Sequence, residues 1–421
     1  MTSSWQRLDN AAKIFPSSSN KTDSHVFRFT CELYENIDPA ILLHAFKSTL
    51  DIFDFYKVTL KRGFFWHYLE PTDFDATVSE EKNHLCGAMY NRHQTGPLLE
   101  LTYFGRRINF EIFHVLSDGT GALSFLRVLV SKYLSEKLGI DEPAIDFDAS
   151  RAQMQDDSFF KYYSGAELPS QRKTKSCQIQ GPKYRENRLR GITGTMSTGT
   201  LLRLAHDHNA TLTVFLSACL SLAISEVLSN QEKKKPVILC VPVNLRRFFP
   251  SQSMRNFFTT IYVPYYFSEH SATLSDVIET ILAEFNDELR EENVKKLLNF
   301  YSSAENHPIA KIIPLKIKDL YLGFAYRRNL QHSTATISNI GVVQMPDVFD
   351  EHIRNFEVCS GTKKLHVCLC SYLDKLSISF TSPFLSADIE RIFFRILNNM
   401  GAEIEIISND PDEYLETGDQ E

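Results

Sequence analysis

Two runs in the first third of the chain, Leu98 to Phe104 and Ile108 to Phe113, alternate apolar and polar residues, and the tight Gly105-Arg106-Arg107 between them predicts a hairpin. In the second run Ile108, Phe110 and Ile112 share one face while Asn109 and Glu111 share the other, the pattern of a half-buried strand. His114 follows at its end, where a side chain leaves the sheet and can enter a cleft. Beyond Asp118-Gly119 the period becomes helical, from about Ala122 to Lys137, with Leu123, Leu126, Val130, Tyr133 and Leu134 on the apolar face.

Elsewhere in the first half, Asp38-Pro39 opens a helix through Leu42, Leu43, Phe46 and Leu50, and strands at Phe55 to Leu60 and Phe64 to Leu69 form a second hairpin around Lys61-Arg62-Gly63. From about Asp146 to Gly194 periodicity fails and Pro169, Pro182 and Gly191 punctuate a polar stretch. This predicts an N-terminal lobe over 1–170, a crossover over 171–194 and a C-terminal lobe over 195–421. The crossover is rich in base (Arg172, Lys173, Lys175, Lys183, Arg185, Arg188, Arg190), which fits a solvated linker or, as a second reading, contact with phosphates.

The second half opens with an apolar helix at Thr213 to Leu228, marked by Asn209 and Thr211, and a continuous apolar run at Pro236 to Val243 that reads as a buried strand. A strand at Phe257 to Phe267 and one long helix at Leu274 to Asn299 follow, with breakers at Pro308 and Pro314. Further strands fall at Ala335 to Ser338, Asn355 to Cys359, Leu365 to Ser371 and Leu376 to Phe380, then a helix at Ala387 to Met400 and a strand at Glu403 to Ile407. The acidic end, Asp410 to Glu421, is expected to fray.

Composition narrows the class. With 421 residues and 43% apolar content the chain can bury a large core, and its length favours two lobes over one. The net charge of −7 is spread along the sequence with no long basic face, which argues against nucleic acid as partner. Met1 to Arg7 lacks the apolar core of a signal peptide, and no apolar run reaches the about 20 residues of a membrane span, so a cytoplasmic location is expected. Of the eight cysteines only Cys368 and Cys370 are close, on one face of a strand, so buried thiols rather than a metal site are expected.

A histidine held at a strand end facing a cleft, as expected of His114, can take and return a proton near neutral pH. The residues alone leave a second reading open, an ordinary strand-end histidine followed by an Asp-Gly turn that starts the next helix. The remaining histidines, His206 and His208 among them, show no partner at useful spacing and read as structural. Ser117 and Thr120 read as helix caps.

Phe113-His114-Val115-Leu116-Ser117-Asp118-Gly119 resembles the HxxxDG signature of the CoA-dependent acyltransferases, a superfamily that includes chloramphenicol acetyltransferase, plant BAHD acyltransferases, wax ester synthases and nonribosomal-peptide condensation domains. Further blocks, Trp5 to Pro16, Pro242 to Arg246 with Arg255 to Phe258, and Ser338 to Gly341, are most similar to its bacterial alcohol acetyltransferase-like branch and come in the expected order. Two departures stand out: Phe113 occupies the place of the first of two adjacent histidines found in condensation domains and wax synthases, and the Asp-Phe-Gly-Trp-Gly block of the plant enzymes is absent.

The resemblance implies a mixed α/β fold of two chloramphenicol-acetyltransferase-like lobes, each a mostly antiparallel or mixed sheet flanked by helices, with an active-site channel between them. It makes His114 the general base for transfer of an acyl group from acyl-CoA to an alcohol or amine, without a metal. Asp118 becomes a structural support pointing away from substrate, with Arg246 as its candidate partner, and Gly119 lets the chain pass close to the channel wall. Ser338, Asn339 and Asn256 are candidates for holding the oxyanion or positioning substrate. A carrier protein as acyl donor and an inactive ligand-binding relative are the alternatives. A monomer is expected, since two-lobed relatives carry both halves in one chain.

Overall fold

A computed structural model describes residues 5–82, 84–91, 96–145, 149–165, 174–185, 188–270, 272–306 and 312–409. Asp146, Pro169, Arg172, Lys173, Pro308 and the acidic end from Asp410 lie outside them.

Three sheets organise the described residues. The first runs in the order β12 (Ile353–Ser360), β2 (Val26–Leu33), β7 (Arg107–Phe113), β6 (Leu99–Phe104) and β5 (Val78–Glu80). Its pairs are antiparallel except β5 with β6. The second is mixed: β10 (Phe258–Tyr265), β9 (Val237–Asn244), β11 (Ala335–Val342), β13 (His366–Tyr372), β14 (Lys375–Ser382), β8 (Arg190–Ser197) and β15 (Glu405–Ser408). β11 runs parallel to both β9 and β13. A small sheet joins β1 (Gln6–Arg7), β4 (His67–Pro71) and β3 (Val58–Arg62).

Each large sheet has its own core. Phe29, Phe110 and Phe125 lie in the first, where the helices Pro39–Ile52 and Gly119–Leu138 pack, and Leu216, Ile337 and Phe393 lie in the second, which the helices Leu212–Val227 and Asp388–Asn399 help to build. The chain is thus mixed α/β in two lobes, as its sequence pattern predicts. β12 exchanges sides: it comes from the C-terminal half yet pairs with β2, and it packs against β13 and β14.

Local chemistry explains most boundaries. Asp38 caps its helix by accepting from Ala40 N–H and Ile41 N–H, and Thr211 caps the helix Leu212–Val227 through Val214 N–H. Gly105 turns the β6–β7 hairpin at φ +55°. Around Gly63, however, the hairpin is looser than expected, since β3 ends at Arg62 and β4 starts only at His67, leaving Phe64 and Phe65 exposed in the turn.

Four expectations change. Val26–Leu33, unassigned from sequence, is the central strand β2; its polar face is buried because Arg28 Nε meets Glu111 at 2.7 Å and Thr30 meets Asn109 at 2.9 Å. The stretch read as crossover up to Gly194 contains most of β8, so Gly191 lies within a strand instead of breaking one, and Gly194 is a point of close packing, because any Cβ would strike the ring of Phe394. Arg190 is buried there and donates to Glu390 and to the carbonyls of Leu385 and Ser386, not to a ligand. The long helix splits into Leu274–Glu288 and Glu291–Asn306, where Asn293 Nδ2 takes the Asp287 carbonyl at 2.8 Å, and a further helix, Leu315–Asn329, starts directly after Pro314.

Candidate active site

β7 ends at Phe113, and the next residue is held on both sides. His114 N–H donates to the His25 carbonyl at 2.9 Å, and Asn256 Nδ2 donates to the His114 carbonyl at 2.9 Å. The imidazole Nδ1 lies 2.9 Å from the Ser117 carbonyl oxygen. A carbonyl only accepts, so the neutral ring carries its proton on Nδ1 and keeps the lone pair on Nε2. The rings of Phe27, Phe15 and Phe258 stand around it at 4.1, 4.4 and 5.2 Å. Burial lowers the pKa of His114 to about 4, outweighing the nearby charge of Asp118. The ring is neutral at pH 7, and its imidazolium is a strong proton donor.

Asp118 also borders the cavity, but its carboxylate is taken up by other partners. Its Oδ1 caps the helix Gly119–Leu138 by accepting from Thr120 N–H and Gly121 N–H, and its Oδ2 accepts from Phe257 N–H at 2.9 Å and Arg246 Nη1 at 2.6 Å. Arg246 also donates to the carbonyls of Ser253 and Arg255. The carboxylate thereby ties the histidine loop to the segment before β10. Ser117 and Thr120, read from sequence as caps, bond elsewhere: Ser117 donates to the Met254 carbonyl at 2.6 Å, and Thr120 accepts from Asn244 Nδ2 at 3.1 Å.

The candidate positioning residues separate. Asn256 sits behind His114, with Nδ2 engaged by both Asp9 at 3.1 Å and the His114 carbonyl at 2.9 Å. Its donors are therefore occupied, and it braces the histidine backbone instead of facing substrate. Asn339 is committed to the β11 bulge, donating to Thr213 Oγ1 and accepting from Gly341 N–H, both at 2.9 Å. Ser338 lines the cavity, and its hydroxyl has no hydrogen-bond partner among the described residues. Gly119 also lines it, but the tighter glycine is Gly121, where a Cβ would collide with the Met254 carbonyl and the Ser117 hydroxyl.

The cavity has a volume of about 1370 Å³ and lies between the two large sheets, with His114 and Phe27 on one side and Val241, Ser338 and His366 on the other. Single-ligand sites commonly measure about 300–1,000 Å³. This one has room for two reactants. Two of its histidines read as structural from sequence: His25, hydrogen-bonded to Ser18 at 3.0 Å, and His366, whose buried Nε2 has no partner among the described residues and whose pKa burial lowers to about 4. Neither has a motif or spacing that gives it away, because strand pairing across the chain brings them together. The described part of the basic crossover does not line the cavity. All eight cysteines are free thiols, and no group of three or more His, Cys, Asp or Glu among the described residues is placed to hold a metal ion.

No family model and no curated protein matches the sequence. Solved structures do match the fold. The starter condensation domain of rhizomide synthetase RzmA in complex with C8-CoA has a TM-score of 0.63 at 12% identity, covering 94% of each chain. F. sporotrichioides TRI101 complexed with coenzyme A and T-2 has a TM-score of 0.63 at 13% identity, covering 96% of this chain and 100% of that one. The trichothecene 15-O-acetyltransferase TRI3 from Fusarium sporotrichioides has 0.61 at 11%, covering 94% of each chain. At such identities the likeness is one of architecture, and it runs nearly the whole length: the chain has the two-lobed fold that condensation domains share with the trichothecene acetyltransferase.

Proposed function

We propose that this protein moves an acyl group from acyl-CoA to an alcohol or amine acceptor, with His114 as general base. The observation that carries the reading is the imidazole itself, neutral, anchored through Nδ1 to the Ser117 carbonyl and lining an interlobe cavity large enough for two substrates. Its Nε2 removes the acceptor O–H or N–H proton as that atom attacks the thioester carbonyl, forming a tetrahedral oxyanion. Collapse breaks the C–S bond, and the Nε2 proton passes to the departing thiolate. No covalent acyl-enzyme forms. Of the three candidates Ser338, Asn339 and Asn256, Ser338 is the one left to donate to the oxyanion, since both asparagine amides are engaged elsewhere. Asp118 and Arg246 hold the loop.

Likeness to solved structures bound to coenzyme A or C8-CoA supports CoA as the carrier of the acyl group. Likeness to a starter condensation domain supports a second reading, in which the thioester arrives on a carrier protein. The test is purified protein with acetyl-CoA and longer acyl-CoAs against a panel of alcohols and amines, reading free thiol, beside His114→Ala. A loss of about two to four orders of magnitude is expected in the variant. Unchanged thiol release would refute the assignment of His114, and turnover with an acylated carrier protein but no CoA thioester would transfer the reading to the condensation type.

A further inference from the structure

The helix Leu315–Asn329 buries Asp319 and Gly323 beside Leu315 and leaves a stripe of large apolar residues exposed. Inward, Asp319 is buried and bonds Ser17 at 2.8 Å and Arg62 at 2.9 Å, the Tyr326 hydroxyl donates to Asp23 at 2.8 Å, and a Cβ on Gly323 would stand 3.2 Å from the Ser17 carbonyl. Outward, at helical spacings of three and four, Ile317, Leu320, Tyr321 and Phe324 are 58–76% exposed. Phe64, 72% exposed, stands beside the start of this helix, its carbonyl accepting from Leu315 N–H at 2.8 Å. Single exposed apolar residues are ordinary, but a contiguous cluster of large ones marks an interaction surface.

The exposed charges of the helix have one sign. Lys316 and Arg327 are exposed along one edge of the apolar stripe, Arg328 is exposed at its C-terminal end, and the helix's one acidic residue, Asp319, is turned inward and paired. The patch is therefore locally basic on a chain of net charge −7. Ile317 and Tyr321 also line the interlobe cavity, so the apolar surface runs on into it. A two-fold contact with a second copy would set the basic edge against itself.

We propose that this face docks the protein on an anionic lipid surface, with Ile317, Leu320, Tyr321 and Phe324 in the headgroup–acyl boundary and Lys316, Arg327 and Arg328 against lipid phosphates. The cavity then opens at the membrane surface. The proposal does not depend on the acyl-transfer reading.

Flotation of the full chain with vesicles of phosphatidylcholine alone, and with about a third of phosphatidylglycerol added, tests it. Wild-type protein is expected to float with the anionic vesicles, and Leu320→Asp/Phe324→Asp to bind them at least about tenfold more weakly at an unchanged thermal midpoint, because both side chains are solvent-exposed. Lys316→Glu/Arg327→Glu is expected to lose the preference for anionic vesicles. His114→Ala is expected to float like wild type, which separates this test from that of the chemistry. Absence of wild-type flotation, equal flotation of Leu320→Asp/Phe324→Asp, or a stable dimer in light scattering that this variant converts to monomer would each overturn the proposal.

Discussion

Asp118 Oδ2 and Arg246 Nη1 stand 2.6 Å apart directly behind the loop that carries His114, and both side chains are largely buried. Asp118 lines the cavity, yet its hydrogen bonds go to a helix N-terminus, a backbone N–H and a guanidinium. The motif's aspartate therefore acts on chemistry through position, and removing either partner strands the other charge out of water.

Asp118→Asn keeps an oxygen for the helix cap but leaves Arg246 uncompensated, and is expected to lose about 3–5 kcal/mol of stability in denaturant unfolding. Arg246→Met is expected to lose a similar amount. The double variant should lose clearly less than the sum of the two. Additive losses would show that the pair does not work as a unit.

Ser338 and Asn256 should part company. Ser338→Ala removes a hydroxyl that has no partner among the described residues, so unfolding stability is expected to stay within about 0.5 kcal/mol while kcat falls about 10²-fold. Asn256→Ala unties Asp9 and the His114 carbonyl and is expected to lower the thermal midpoint along with the rate. Circular dichroism melts and thiol release on the same preparations distinguish them.

Two glycines near the motif should respond differently. Gly121→Ala forces a Cβ onto the Met254 carbonyl and is expected to cost about 1–3 kcal/mol despite a helix-propensity gain of about 1. Gly119→Ala meets only the terminal methyl of Ile340, at 3.1 Å, which can turn aside. Denaturant midpoints of the two variants should therefore differ in that order.

Burial lowers His366 from 6.5 to about 4, so between these values the unfolded chain binds the proton that the folded chain refuses. Its contribution to stability is complete above about pH 6.5 and is lost as pH falls towards 4. Asp23, pushed up to about 6 by burial, works in the opposite direction between about 4 and 6, and His114 in the same direction as His366. The comparison that isolates His366 is with His366→Phe: the wild type should lose more stability than the variant between pH 7 and pH 5. Equal losses would place His366 in contact with water.

Much of the architecture was legible along the chain. The alternation of Ile108, Phe110 and Ile112 and the caps at Asp38 and Thr211 are local physics: side-chain period, and orphan N–H groups that need an acceptor within three residues. β2 escaped because its polar face is satisfied by Glu111 and Asn109, about 80 residues away along the chain. β8 escaped because Gly191 read as a breaker within a polar stretch, whereas it lies inside the strand and close packing on Phe394 requires the glycine at 194.

The sequence by itself determined the strand, the histidine at its end and the capped helix after it, because each depends on neighbours a few residues apart. Only the tertiary structure decided which polar residues meet: that Arg246 reaches Asp118 over 128 positions, that Asn256 lies behind His114 with its donors occupied, and that His25 and His366 share its cavity. Those encounters are made between segments far apart in the chain, and long-range contacts of this kind, like the pairing of β12 with β2, leave no periodic trace in the chain they join.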